Sequence, residues 1–144
     1  MTQEINIIET PSSGKKRIGF LCLPGLETFI KPIVEHFAID YDVRTYYGND
    51  LNEIKSVVDF ADLVFLEWAN QLAVEATNRI PALADKKVVV RCHSYEALDA
   101  FLPQIKWQHV SILLFVATHI MDIAIRRFPK LKDLVKMEVV PNGI

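Results

Sequence analysis

Short apolar runs alternate with amphipathic segments along most of this chain. Six runs of strand length occupy residues 17–23, 42–47, 62–66, 87–92, 110–117 and 136–140. Apolar residues recur at helical spacing in most of the stretches between them. Parallel strands need a crossover between them, and a helix usually provides it. The sequence therefore predicts an α/β fold with a mostly parallel sheet and helices on both faces.

Local signals predict where several helices begin and end. Asp50 followed by Glu53 three residues later has the form of a capping box. Asn70 and Thr118 are predicted N-caps of later helices, and Pro81 is predicted to end the helix that follows Asn70. These elements predict a Rossmann-like three-layer domain at residues 17–144. The polar, breaker-rich residues 1–16 are interpreted as a leader or linker.

Composition and charge indicate which partners and which cellular compartment to expect. The chain has 144 residues, 51% of them hydrophobic, and a formal net charge of -2, which gives no electrostatic case for nucleic acid. The N-terminus lacks the features of a signal peptide, and two cysteines in apolar runs favour buried, reduced thiols, so we expect a cytoplasmic protein. No Cys/His spacing predicts a metal site. A basic cluster at residues 126–136 leaves peripheral contact with the inner face of a membrane open.

The end of the chain predicts a missing neighbour. An apolar strand runs into the Pro-Asn-Gly turn at residues 141–143, and such a turn normally leads into another element. We therefore expect the chain to be one half of a larger protein, with its second domain absent. Half of a protein can hold half of an active site.

Polar residues gather after the apolar runs, where ligands bind in open parallel sheets. Gly25 lies in the first loop, and the alternatives for it are a backbone contact with a ligand or a simple turn. A single glycine there does not make a dinucleotide fingerprint. The loop after the fourth run is the richest in polar groups. Its candidate site residues are Arg91, His93, Ser94, Tyr95 and Glu96.

Two side chains of this edge can suit a sugar. Glu67 can accept hydroxyl hydrogens, and Trp68 can cover an apolar sugar face; the alternative is an ion pair beside a partly buried tryptophan. A neutral imidazole at His93 can donate to or accept from a hydroxyl. The alternative for His93 is a buried, hydrogen-bonded turn residue. Both interpretations of each residue remain open at the level of sequence.

Three segments together resemble the N-terminal domain of the GT-B-fold, group 1 (family-4 type) glycosyltransferases. They are VVRCHSYE at residues 89–96, FVATHIM at residues 115–121 and VVPNGI at residues 139–144. The resemblance spans residues 17–144. The first glycine loop departs from the family pattern, because many members have two adjacent glycines where this chain has Gly25 alone.

The resemblance implies an acceptor-side domain of a retaining, metal-independent transferase that uses a nucleotide-sugar as co-substrate. The partners would be the protein's own nucleotide-sugar-binding domain and a sugar acceptor. The resemblance implies that His93 acts in catalysis near the transferred sugar. It also implies one set of residues that bind substrate and one set that forms the hinge between the two domains. The substrate-binding set is Gly25, Glu67, Trp68, Arg91, Ser94, Tyr95, Glu96 and Thr118, and the hinge set is Pro141, Asn142 and Gly143.

Two other functions fit the same pattern. One is a stand-alone α/β ligand-binding or regulatory module, and the other is half of a nucleotide-sugar epimerase. Without a donor domain, the reacting groups cannot be brought together, so we expect the chain alone to be inactive as a transferase.

Overall fold

The computed structural model describes residues 15–93 and 100–141. The predictions for residues 1–14, Ser94, Tyr95, Glu96, Asn142 and Gly143 therefore lie outside the described residues. The strands in these ranges are β1 (Arg17–Cys22), β2 (Asp42–Tyr47), β3 (Leu63–Glu67), β4 (Lys87–Cys92), β5 (Ile112–Phe115) and β6 (Met137–Val139). The α-helices are α1 (Lys31–Phe37), α2 (Leu51–Phe60), α3 (Gln71–Arg79), α4 (Thr118–Arg127) and α5 (Leu131–Leu134). The predicted α/β class is confirmed.

The six strands form one sheet in the order β2-β1-β3-β4-β5-β6, and every neighbouring pair is parallel. Only the step from β1 to β2 moves toward one edge of the sheet. Every later step moves toward the other edge. Right-handed crossovers that move in opposite directions lie on opposite faces, so the strand order assigns each connection to a face.

The buried side chains agree with this assignment. On one face, Val34 of α1 packs with Ile18 and Phe20 of β1. On the other face, a larger core joins α2, α3, α4 and α5 to the sheet; it includes Val57, Ala73, Ala124 and Leu131. The α1 face is thinly covered beyond β3, and an apolar groove of about 410 Å³ opens there. Its lining includes Phe37, Phe65, Val89 and Leu114.

Helix boundaries follow from local chemistry, with two corrections to the predicted ones. Asp50 caps α2 by accepting from the backbone N–H of Asn52 at 2.8 Å, as predicted, and Asn70 caps α3. Apolar residues recur at helical spacing over residues 28–38 and predict a helix of that length. The observed α1 is shorter, because Pro32 is tolerated only in a first turn, and a 3-10 turn at Glu27–Phe29 precedes it. The predicted cap of α4 was also wrong. Thr118 is the first helical residue, and Ala117, which has no capping side chain, takes the N-cap position.

Helix α2 lies very close to β1 at Gly19. A Cβ atom built on Gly19 would lie 2.6 Å from Cγ1 of Val57.

No helix in the described parts of the chain has the length and apolar character to cross a membrane.

Candidate functional site

A buried ion pair joins the carboxyl ends of β3 and β4. Glu67 and Arg91 are register partners on neighbouring strands, so their side chains leave the same face of the sheet. Nε and Nη2 of Arg91 donate to the two carboxylate oxygens of Glu67 at 2.7 and 2.5 Å. Glu67 is fully buried and Arg91 is 6% exposed. The pair is a bidentate contact that fixes the orientation of both side chains.

His93 lies against the same carboxylate. It follows Arg91 by two residues, which returns its side chain to the α1 face. Nε2 of His93 is 3.2 Å from Oε1 of Glu67, and the His93 side chain is buried. Both oxygens of Glu67 are thus engaged by protein groups. The sequence left two alternatives for Glu67, a sugar hydroxyl or an ion pair, and the structure has the ion pair with Arg91. Direct acceptance of a sugar hydroxyl by Glu67 would require this arrangement to open.

The electrostatic balance at Glu67 favours the charged form. Burial acts to raise the pKa of this carboxyl group. Hydrogen bonds from His93 and Arg91, together with their charges, outweigh burial, so the pKa of Glu67 lies below its usual value. Glu67 is therefore a carboxylate at neutral pH.

Trp68 lies over His93 from an uncommon backbone conformation. Its φ angle is 76°, a region that bulky side chains rarely adopt and that costs about 1–3 kcal/mol. The indole stacks on the imidazole of His93, with ring centroids 4.0 Å apart and planes at 23°. Nε1–H of Trp68 donates to the carbonyl of Leu26 at 3.0 Å. The strained residue thus connects the first loop to the loop that carries His93.

Phe29 is a member of the site that the sequence interpretation missed. Its side chain is 49% exposed, and its ring lies 5.2 Å from that of His93 and 6.4 Å from that of Trp68. The helical spacing of apolar residues over residues 28–38 puts Phe29 on an apolar stripe, where an aromatic residue is expected to be core. Its place in the 3-10 turn before α1 instead leaves it half exposed at the rim of the site.

Gly25 owes its identity to backbone conformation. Its φ angle is +86°, and a Cβ built there would meet nothing within 4 Å. Its N–H donates to Oε1 of Glu27 at 2.7 Å. A carboxylate of the chain itself therefore occupies the backbone donor that the sequence offered to a ligand.

Two further ionisable groups border the site at the ends of β1 and β2. Cys22 and Tyr47 are register partners and both are buried. Burial, reinforced by the charges of Glu67 and Glu27, raises the pKa of the Cys22 thiol. Burial also raises the pKa of Tyr47 to about 12. Both groups are therefore neutral at physiological pH.

The remaining predicted residues that the structure describes are exposed. Thr118 is exposed at the start of α4, and Pro141 is exposed after β6. The basic cluster is also solvent-exposed, at Arg126, Arg127, Lys130, Lys132 and Lys136. Within residues 15–93 and 100–141, no group of three or more His, Cys, Asp or Glu side chains could hold a metal ion.

The site consists of a buried ion pair with aromatic side chains beside it. Glu67 and Arg91 neutralise each other beneath His93. Trp68 is buried against His93, and the half-exposed Phe29 gives the edge an aromatic surface of the kind that packs on apolar sugar faces. The chemistry available to a ligand is therefore stacking and hydrogen bonding.

No protein-family model matches the chain, and no match was found among curated proteins.

Proposed function

We propose that this chain is the acceptor-side, N-terminal domain of a retaining glycosyltransferase with two Rossmann-like domains. The proposal rests on the resemblance of the three segments at residues 89–96, 115–121 and 139–144. The observation that carries it is the position of His93 at the carboxyl end of β4, held between the Glu67 carboxylate and the Trp68 indole. Ligands of open parallel sheets bind at this edge.

In this proposal His93 lies beside the sugar that is transferred. The half-exposed Phe29 supplies aromatic surface for a saccharide, lipid-linked or small-molecule acceptor, and the buried indole of Trp68 packs on His93. Arg91 neutralises Glu67, so the charge beneath the imidazole does not repel a ligand. The nucleotide-sugar would be held by the second domain, across a cleft that this edge borders.

Transfer needs both walls of that cleft. Orientation of donor and acceptor, and stabilisation of the charge that develops, are the main sources of rate enhancement, and one domain cannot supply them. We therefore propose that residues 1–144 alone bind no complete donor–acceptor pair and transfer no sugar. Robust transfer by purified 1–144 from a panel of nucleotide-sugars would contradict this part of the proposal.

The role of His93 is tested in the protein that also contains the nucleotide-sugar domain. A donor screen identifies the sugar transferred, and His93→Ala should then lower turnover by on the order of 100-fold, the scale of a lost positioning contact. His36→Ala, an exposed histidine on α1, is the matched control and should leave turnover unchanged. Circular dichroism checks that both variants fold.

Unchanged turnover in His93→Ala would remove this residue from the mechanism. Product analysis separates transfer from epimerisation, because an epimerase returns an altered nucleotide-sugar and no glycoside. A natural protein that ends at Ile144 and acts unaided would favour the stand-alone binding or regulatory module.

A further inference from the structure

We propose that the apolar groove on the α1 face of the sheet binds the alkyl chain of a long-chain fatty acid, with the carboxylate at the amino ends of the strands. This site is separate from the group of side chains around His93. It goes beyond the proposed transferase function and does not depend on it. The lining of the groove, its size and the charges at one end of it all bear on this assignment.

The floor of the groove is the uncovered part of the sheet on this face. Phe65 of β3 and Val89 of β4 are register partners, and Leu114 of β5 continues the same surface. All three are only half-buried, although such residues in parallel strands are usually covered on both faces. Among the described α-helices, α1 alone packs on this side. A contiguous exposed apolar surface of this kind typically marks a binding site.

The groove has the size of a small-molecule site. Its volume of about 410 Å³ lies in the lower part of the range of roughly 300–1,000 Å³ that is typical of ligand pockets. Its lining runs from β1 across β3 and β4 to β5, with Phe37 and Tyr41 on the α1 side. Strands about 4.8 Å apart make this a path of roughly 14 Å. A long and modest space of this kind favours a ligand with one alkyl chain over a ligand with two.

The charged residues of the lining all lie at the amino ends of the strands. Lys16 precedes β1, Arg17 begins it, and Lys87 begins β4. Asp62, which precedes β3, accepts from the backbone N–H of Arg17 at 3.0 Å and from its Nη2 at 3.3 Å. Neither Lys16 nor Lys87 has an ion-pair partner among residues 15–93 and 100–141. This end of the groove therefore has an excess of positive charge, which complements one carboxylate.

Other occupants fit the groove less well. Two copies of the chain related by a two-fold axis would set groove against groove and leave both unfilled. The surface of a bilayer is flat on this scale, so it would rest on the rim and leave the concave floor uncovered. A fatty acid provides an apolar chain for the floor and a negative charge for the cationic end.

The alkyl chain is expected to supply most of the affinity. Burial of one CH₂ group lowers Kd about fourfold, which corresponds to about 0.8 kcal/mol. An exposed ion pair changes Kd by no more than about fivefold. The lysines therefore set the direction of the chain in the groove more than they set the strength of binding.

The experiment titrates the 1–144 chain with octanoate, decanoate and dodecanoate, below the concentrations at which they form micelles. ¹H–¹⁵N correlation spectra at about pH 8, where a carboxylic acid is ionised, give both the location and the affinity. Signals of Phe65, Val89 and Leu114 should shift, and those of α4 and α5 should not. Each step of two CH₂ groups should lower Kd by up to about 16-fold, until the groove is full.

A variant that fills the groove tests its location. Val89→Trp places an indole on the floor and should raise the Kd of dodecanoate at least tenfold. The matched control is Val140→Trp, which makes the same change at a valine that is 46% exposed and outside the groove. It should leave the Kd unchanged.

A change of charge tests the direction of the ligand. Lys87→Glu should raise the Kd of dodecanoate by about fivefold and leave that of dodecanol, which has the same chain without the charge, unchanged. Lys132→Glu, at an exposed lysine of α5, is the control and should affect neither ligand.

Four results would overturn the proposal. They are no shift of the groove signals with dodecanoate, equal affinity for octanoate and dodecanoate, binding only to vesicles of anionic lipid, and a dimer in sedimentation that Val89→Trp dissociates. The first two are measured on the wild-type chain, so they decide the matter even if a variant does not fold. Because no turnover is measured, a failure here leaves the transferase proposal standing, and an inactive transferase leaves the groove result standing.

Discussion

The Arg91 side chain is expected to be essential for stability, because its loss leaves a buried carboxylate without a cation. Breaking a buried pair by removing one partner typically costs about 3–5 kcal/mol. We expect a loss of free energy of unfolding of this order in Arg91→Met, measured by urea denaturation. Methionine keeps much of the apolar stem of arginine, so the change isolates the charge.

A matched arginine lies on the surface of α3. Arg79 contacts Glu75 at 3.3 Å and its side chain is 61% exposed. Arg79→Met should cost no more than about 0.5 kcal/mol, because exposed helix pairs contribute little. Equal losses in the two variants would show that the Glu67–Arg91 pair adds nothing particular to stability.

Glu67 should also give the fold a dependence on acidity. Its pKa is lower in the folded than in the unfolded chain, so it stabilises the fold above the unfolded pKa of about 4.3. That contribution disappears as the pH falls through the lower, folded value. Between about pH 5 and pH 3, wild type should lose stability more steeply than Glu67→Gln in urea denaturation. Parallel curves would contradict this prediction.

At the scale of residues, the sequence predicted that these polar groups lie at one edge of the sheet but not how they contact one another. Glu67, Arg91 and His93 could be predicted because each lies at or after the end of an apolar run. Their pairing could not, because it depends on β3 and β4 being neighbours in one register. The left-handed backbone of Trp68 had no sequence signal either, since tryptophan seldom adopts it.

At the scale of elements, the contact between β1 and α2 is expected to tolerate no additional atom. In Gly19→Ala, the new Cβ would lie 2.6 Å from Cγ1 of Val57 and 3.2 Å from Cβ of Ala61. We expect a loss of about 1–3 kcal/mol, the usual cost of overpacking. Thermal or urea unfolding measures it.

A double-mutant cycle tests the cause of that loss. Val57→Ala removes the atom in closest conflict, so Gly19→Ala should cost less in the Val57→Ala background than in wild type. The same cost in both backgrounds would mean that the clash with Val57 is not what destabilises the variant.

The starts of the helices show which capping residues can be predicted from the sequence. Asp50 and Asn70 were predicted as caps and act as caps, because their side chains reach backbone N–H groups within three residues. Thr118 was predicted as a cap, but the strand before it ends early and Ala117 takes that position. The sequence does not show where within an apolar run the strand ends, so it does not fix which residue begins the next helix.

At the scale of the whole molecule, both thiols should report complete unfolding. Neither Cys22 nor Cys92 is in a disulfide, and both are fully buried, in the two different cores. Only an exposed thiolate reacts readily with a disulfide reagent. In native buffer we expect very slow labelling of either thiol, and in concentrated urea rapid labelling of both. Fast labelling of one thiol in native buffer would indicate local opening of its core.

The fold class could be predicted because six apolar runs of strand length alternate with amphipathic segments. The number of helices on each face of the sheet could not be predicted. That distribution depends on the direction of each step across the sheet, which the alternation of elements leaves open. Four of the five described α-helices therefore share one core, and α1 is on the other side.

This lopsided covering should be visible in a map of tolerated substitutions along the central strands. Val90 of β4 and Leu113 of β5 are fully buried in the larger core, whereas Val89 and Leu114 line the apolar groove and are only half-buried. Polar replacements should be rejected at the first two positions and accepted more often at the second two. Selection would then act on every other residue of a strand, and the open side of the sheet would be freer to vary over evolution.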